Sequence, residues 1–336
     1  MKDHVRIAFS GWLVRGLVLA GFVTSLIAQS TTPSPSPIPL GGPVSVFSTY
    51  DEETLRKGDF VFAAAYSTAS RGDTVEDAKL ASNLMRRDMP YRIILPARYS
   101  TKDSTERFPV VYLLHGLTGH YTNWTDKTKI AGFAASQNFI IVTPEGDDGW
   151  YTDSTAKPND KYESYIIKEL IPEIDKKFRT IADREHRAIA GLSMGGYGSI
   201  KFGLKYPELF VVAGSFSGAL GAASITEKQI PGTIGRSIDG IFGSVGSDTR
   251  KSNDIFDLIR GATPESIKSL PFLYLDCGTE DFLFQNNREF VDLLVEKKVP
   301  HEFRQLPGGH NWKYWDAQVE EFLELADKRF RTSQNR

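Results

Sequence analysis

From about residue 79 onward, short apolar runs alternate with amphipathic stretches, a rhythm that suits a mostly parallel sheet covered by helices. Tyr91 to Leu95, Val110 to Leu114, Phe139 to Val142, Ala188 to Leu192, Val211 to Phe216, Phe272 to Cys277 and Glu302 to Leu306 have the length and β-branched or aromatic content of strands. Between them Tyr162, Tyr165, Ile166, Ile171, Ile174 and Phe178 recur at helical spacing, as do Trp315, Val319, Phe322, Leu323, Ala326 and Phe330. Pro172 lacks an amide hydrogen, so the first of these helices should kink or restart there. The expectation is a three-layer α/β/α domain over residues 79–332, large enough to bury one core.

The amino terminus has a different character. Lys2, Arg6 and Arg15 precede an uncharged run from Gly16 to Ala28, shorter than the roughly 18 residues a membrane span needs, and Ala28-Gln29-Ser30 supplies small residues for cleavage. Residues 1–30 are therefore expected to be a signal peptide, placing the domain outside the cytoplasm, secreted or periplasmic, with no stable membrane insertion after cleavage. An uncleaved anchor remains the alternative, because Ile7 to Ala28 is apolar apart from Arg15 and a few small polar residues. Residues 31–45 carry Pro33, Pro35, Pro37, Pro39 and Pro43 among serines and threonines, the composition of an extended tether. Residues 46–78 are mixed and are expected to decorate the domain.

A net charge of -2 gives no field that would gather phosphates, and no basic cluster is interleaved with aromatics, which argues against nucleic acid as a partner. Cys277 is the only cysteine, so no intramolecular disulfide can form, and its place at the end of an apolar run suits a small buried hydrophobe.

The chemistry centres on Gly191-Leu192-Ser193-Met194-Gly195, where an expected strand meets a glycine-rich helix start. A nucleophile held on so sharp a turn needs glycine two residues to either side and exposes its hydroxyl. Ser193 is thus the candidate nucleophile. A serine hydroxyl needs a positioned base, and His310, in the glycine loop Gly308-Gly309-His310-Asn311-Trp312 between the last strand and the final helix, is the histidine placed to act as one. The acid that orients it should follow the next-to-last strand, and Asp281 of Gly278-Thr279-Glu280-Asp281 is preferred, with Glu280 in reserve. For the tetrahedral oxyanion the expected donors are the backbone N–H groups of Leu117, in the loop His115-Gly116-Leu117-Thr118-Gly119, and Met194. His115 is read as bracing that loop, with no part in proton transfer. Trp150 and Tyr151 are candidates to stack on an aromatic acyl group or a sugar ring, although they suit the packing of their loop equally well, and Trp124 is a further candidate for substrate binding. The glycine- and serine-rich stretch from Ala219 to Asn253 is suited to a cap.

With these segments in place the chain resembles the esterase D and putative-esterase group of α/β-hydrolases, which includes S-formylglutathione hydrolases, tributyrin and feruloyl esterases and mycolyl transferases. The resemblance rests on His115-Gly116-Leu117-Thr118-Gly119 with Asn123-Trp124, on Gly191 to Gly196, on Gly278 to Phe282 and on Gly308 to Trp312, and it spans about residues 79–328. It implies the α/β-hydrolase fold and an acyl-enzyme mechanism without cofactor or metal, acting on a small-molecule, carbohydrate or lipid ester, small acyl or hydroxycinnamoyl esters first among them. Two other outcomes stay open: acyl transfer to a sugar alcohol, and a non-catalytic binding module on the same scaffold.

Overall fold

The computed structural model describes residues 75–100 and 104–334. The expected signal peptide and linker, and residues 46–74 of the decoration, lie outside the described residues.

Eight strands form one sheet: β1 (Val75–Ser82), β2 (Arg87–Ile94), β3 (Val110–Leu114), β4 (Ile140–Pro144), β5 (Arg187–Leu192), β6 (Val212–Phe216), β7 (Phe272–Gly278) and β8 (His301–Leu306). Their order is β1-β2-β4-β3-β5-β6-β7-β8. β1 and β2 form an antiparallel hairpin, β2 runs antiparallel to β4, and every other pairing is parallel. Each strand expected from the sequence is present within a few residues of its expected ends. β1 was not foreseen. It begins at Val75 and ends at Ser82, so the boundary placed between residues 78 and 79 falls inside a strand of the sheet. Its pattern explains the omission: most of its residues are half-buried or exposed, as on an edge strand with one wet face, so no apolar run marks it.

Burial on both faces dictates which side chains the central strands carry. Along β3, Val110, Tyr112 and Leu114 enter one core and Val111 and Leu113 the other, the two-residue period of a pleated strand. The second core is closed by the final helix, Trp312–Gln334, through Val319, Phe322, Leu323, Ala326 and Phe330. Against the first core lie the helix that follows β5, Met194–Lys205, and the segment Tyr162–Lys177. The latter passes through a wider π-helical turn at Ile166–Leu170 before resuming as Ile171–Lys177. Pro172 sits at the start of the resumed helix, where a missing N–H costs least, which accounts for the restart. The stretch from Ala219 to Asn253 folds into short helices, chiefly Thr233–Phe242 and Asp248–Asn253, with Ile238, Ile241 and Phe242 buried.

In parallel α/β sheets the loops at the carboxyl ends of the strands gather on one edge, where ligands bind. Here that edge also stores backbone strain. Thr118, Asp147, Trp150, Tyr151, Ser193 and Ser217, in the loops after β3, β4, β5 and β6, all have positive φ, a conformation that side-chain-bearing residues seldom adopt.

Candidate active site

Ser193 caps the helix Met194–Lys205 with φ 53° and ψ -115°. Two glycines permit that turn. A Cβ on Gly191 would lie 2.5 Å from the Gly195 carbonyl, and one on Gly195 would lie 2.5 Å from the Leu114 oxygen. The turn is pinned by Ser193 N–H donating to Phe216 O at 2.9 Å and by Ala219 N–H donating to Ser193 O at 3.0 Å. Ser193 is half-buried there.

His310 reaches it from across the sheet. Its Nε2 lies 3.1 Å from Ser193 Oγ, and its Nδ1 lies 2.9 Å from Asp281 Oδ2. A carboxylate only accepts, so Nδ1 carries the hydrogen and Nε2 is left to receive the serine proton. The other Asp281 oxygen accepts from Leu283 N–H at 2.8 Å, which fixes the carboxylate. Glu280 is exposed, and among the described residues Asp281 is the acid that meets His310. The acid and base loops are stitched together by Thr279 N–H donating to Leu306 O and Glu280 N–H donating to Gly308 O, each at 2.9 Å. Phe282 and Trp315 pack on the imidazole with ring centroids at 4.7 and 4.9 Å, leaving the ring little freedom to turn.

The loop after β3 passes directly over the serine: a Cβ on Gly116 would lie 3.3 Å from Ser193 Cβ. Leu117 is half-buried there. Met194 is the first residue of its helix, so its N–H is one of the donors a helix start leaves without an intrahelical acceptor. The arrangement brings a serine hydroxyl, an imidazole, a carboxylate and backbone N–H groups beside one another, the kinds of group that acyl transfer requires.

Residues 82–324 match the family model described as putative esterase. The chain belongs to the putative esterase family. The esterase is 28% identical over 258 residues to an acetyl esterase of Caldicellulosiruptor saccharolyticus, covering 74% of this chain and 96% of that relative. It is 30% identical over 245 residues to the esterase Rv1288 of Mycobacterium tuberculosis, covering 65% of this chain and 51% of the relative, and so spans about half of that protein. A solved ferulic acid esterase superposes with a TM-score of 0.65 at 28% identity, covering 76% of this chain and 98% of that one. The fold is that of the α/β-hydrolases, and the protein is a carboxylic-ester hydrolase.

Three aromatic side chains expected at the substrate belong instead to the interior of the esterase. Trp124, Trp150 and Tyr151 are 0%, 4% and 0% exposed. Trp150 stands edge-on to Tyr197 and also packs near Phe242. Tyr151 OH donates to His115 O at 2.9 Å, and Trp124 Nε1 donates to Leu114 O at 3.1 Å. Apolar rings flanked by turn residues look alike in sequence whether they face a ligand or a core.

Two acidic groups of the esterase were assigned no role from the sequence. Glu145 lies at the end of β4, buried, within reach of both His115 and His120. Burial pushes its carboxyl up, but the bond and charge of His115 and the N–H groups of Asp147 and Tyr121 outweigh this and hold it down at about 2. Asp148 Oδ1 accepts from Thr118 N–H at 2.6 Å. Their only signal was position, since carboxylates that directly follow a central strand land on the catalytic edge. Beyond Asp148 opens a cleft of 740 Å³ whose polar lining includes Arg87, Asp147, Asp160, Arg236 and Ser237.

Proposed function

We propose that the protein is an exported serine esterase in which Ser193 is the nucleophile, His310 the general base and Asp281 the acid that orients it. The observation that carries this reading is the unbroken chain of contacts from Asp281 Oδ2 through His310 to Ser193 Oγ. Ser193 Oγ attacks the ester carbonyl as its proton passes to His310 Nε2. The resulting oxyanion is met by the N–H groups of Leu117 and Met194, and His310 returns the proton to the departing alcohol oxygen. Water, deprotonated by the same imidazole, then attacks the acyl-enzyme and releases the acid. Donors fixed at an oxyanion are worth about 10²- to 10³-fold each.

The substrates proposed are small acyl or hydroxycinnamoyl esters. Similarity to an acetyl esterase and to a ferulic acid esterase supports that range. Export rests on the charged start and short apolar run of residues 1–30.

Hydrolysis of a panel of p-nitrophenyl acyl esters and methyl hydroxycinnamates, with wild type beside Ser193→Ala, tests the reading. Turnover that vanishes in the folded variant is the expected result, and the panel then ranks acyl size. Turnover that survives Ser193→Ala rejects the assignment. Transfer of the acyl group to an added sugar in preference to water would make the protein a transferase.

A further inference from the structure

The loop that carries Leu117 is held at three successive carbonyls. Leu114 O accepts from Trp124 Nε1, His115 O accepts from Tyr151 OH, and Gly116 O accepts both from Gly119 N–H at 3.1 Å and from His115 Nδ1 at 2.8 Å. The last contact matters most for chemistry. In a trans peptide the C=O and N–H point in opposite directions, and no described peptide bond is cis. Fixing the Gly116 carbonyl therefore fixes the line of the Leu117 N–H, the donor assigned above to the oxyanion.

The His115 ring has no freedom to release that carbonyl. It is 0% exposed, and its Nε2 lies 2.9 Å from Gly146 N and 3.1 Å from Glu145 Oε1. Gly116 O can only accept, so Nδ1 bears a hydrogen whether or not Nε2 does. Glu145 is in turn anchored. Its Oε1 accepts from Gly146 N–H at 3.1 Å and Asp147 N–H at 2.8 Å, and its Oε2 accepts from Tyr121 N–H at 3.3 Å. One buried carboxylate thus joins the loop after β4 to the loop after β3.

We propose that Glu145 and His115 are positioning residues for the oxyanion: Glu145 holds the imidazole, and the imidazole Nδ1–H aims the Gly116–Leu117 peptide. Neither touches the substrate. The inference rests on the acyl-enzyme reading, because it concerns a donor used only once charge develops on the carbonyl oxygen.

The test exploits the two ring nitrogens. The amide nitrogen of His115→Asn sits where Nδ1 was, whereas that of His115→Gln sits where Nε2 was. On a p-nitrophenyl ester, His115→Gln is expected to lower kcat about 10²-fold with KM changed less than about threefold, and His115→Asn to recover most of that loss. Glu145→Gln, which puts an amide NH₂ against backbone N–H donors, should lower kcat about tenfold or more in the same pattern. It serves as the second probe if His115→Gln does not fold. Affinity for an alkyl boronic acid, which forms a tetrahedral adduct at the serine, should fall in step with kcat. Equal losses in His115→Asn and His115→Gln, losses confined to KM, or unchanged boronate affinity would overturn the proposal. Because Ser193→Ala is assayed alongside, turnover surviving in that variant marks failure of the serine reading, a result distinct from any of these.

Discussion

His310 Nδ1 and Asp281 Oδ2 stand 2.9 Å apart across the loops that follow β8 and β7, with the carboxylate buried beneath the imidazole. An amide in place of that carboxylate keeps the shape but no longer selects the tautomer with its hydrogen on Nδ1. Asp281→Asn is therefore expected to lower kcat by about 10⁴-fold. Glu280→Gln, at an exposed site, should change it little. Esterase assays of the two purified variants check the ranking, and the reverse order would move the orienting role to Glu280.

Trp150 tests whether the aromatics after β4 serve the core. Lodged against Tyr197 and Phe242, its ring leaves a void when removed, and Trp150→Ala should cost about 3–5 kcal/mol of stability. Urea denaturation provides the number. A variant of wild-type stability with altered acyl preference would return Trp150 to the substrate.

Beneath the same loop, Lys201 is 0% exposed; its Nζ lies 2.8 Å from Glu163 Oε2 and donates to Tyr151 O and Thr152 Oγ1 at 2.6 and 2.7 Å. Burial draws the lysine down to about 8 and Glu163 pulls it back, while Lys201 and Lys205 overcome the burial of Glu163 and hold that carboxyl at about 2. At neutral pH both are charged. Lys201→Met leaves buried acceptors unmet and is expected to cost about 3 kcal/mol or more. Because the folded value of Glu163 is depressed, its contribution is complete above the ordinary carboxyl value of 4.5 and is lost as pH falls through about 2. The stability gap between wild type and Glu163→Gln should narrow over that window, and a gap that stays constant from pH 6 to pH 2 would contradict the ion pair.

Asp276 behaves in the opposite sense. It is 0% exposed in β7, and burial pushes its carboxyl well above the usual range against the opposing pull of Tyr274, Tyr314 and Arg304, with Asp281 adding to the rise. A raised carboxyl stabilises the fold fully below its unfolded value and loses that contribution as pH climbs toward the folded one. Asp276→Asn, which cannot ionise, should equal wild type near pH 4 and gain on it by up to about 1.4 kcal/mol per pH unit above that. Thermal unfolding from pH 4 to pH 8 measures the difference, and parallel curves would show that Asp276 does not carry this proton.

The contrast between Ser193 and Trp150 shows what each level of description holds. The elbow was legible because its constraint is local: glycines two residues either side, a strand before and a helix after are dictated by the chain's own backbone. Strands β3 to β7 were legible for a related reason, since burial on both faces leaves continuous apolar runs. β1 was not, because an edge strand such as Val75–Ser82 alternates weakly.

What the sequence alone determined, then, is the layered α/β architecture, the serine on its turn and the glycine loop bearing His310, each set by short-range sterics and periodicity. Only the tertiary structure decided which acid meets His310, which way Trp124, Trp150 and Tyr151 face, and that Glu145 bridges two loops to reach His115. Those outcomes depend on side chains from separate strands meeting at one sheet edge. The distance between Ser193 Oγ and His310 Nε2, residues 117 apart in the chain, is fixed by strand order and loop packing, and neither is written in the neighbourhood of either residue.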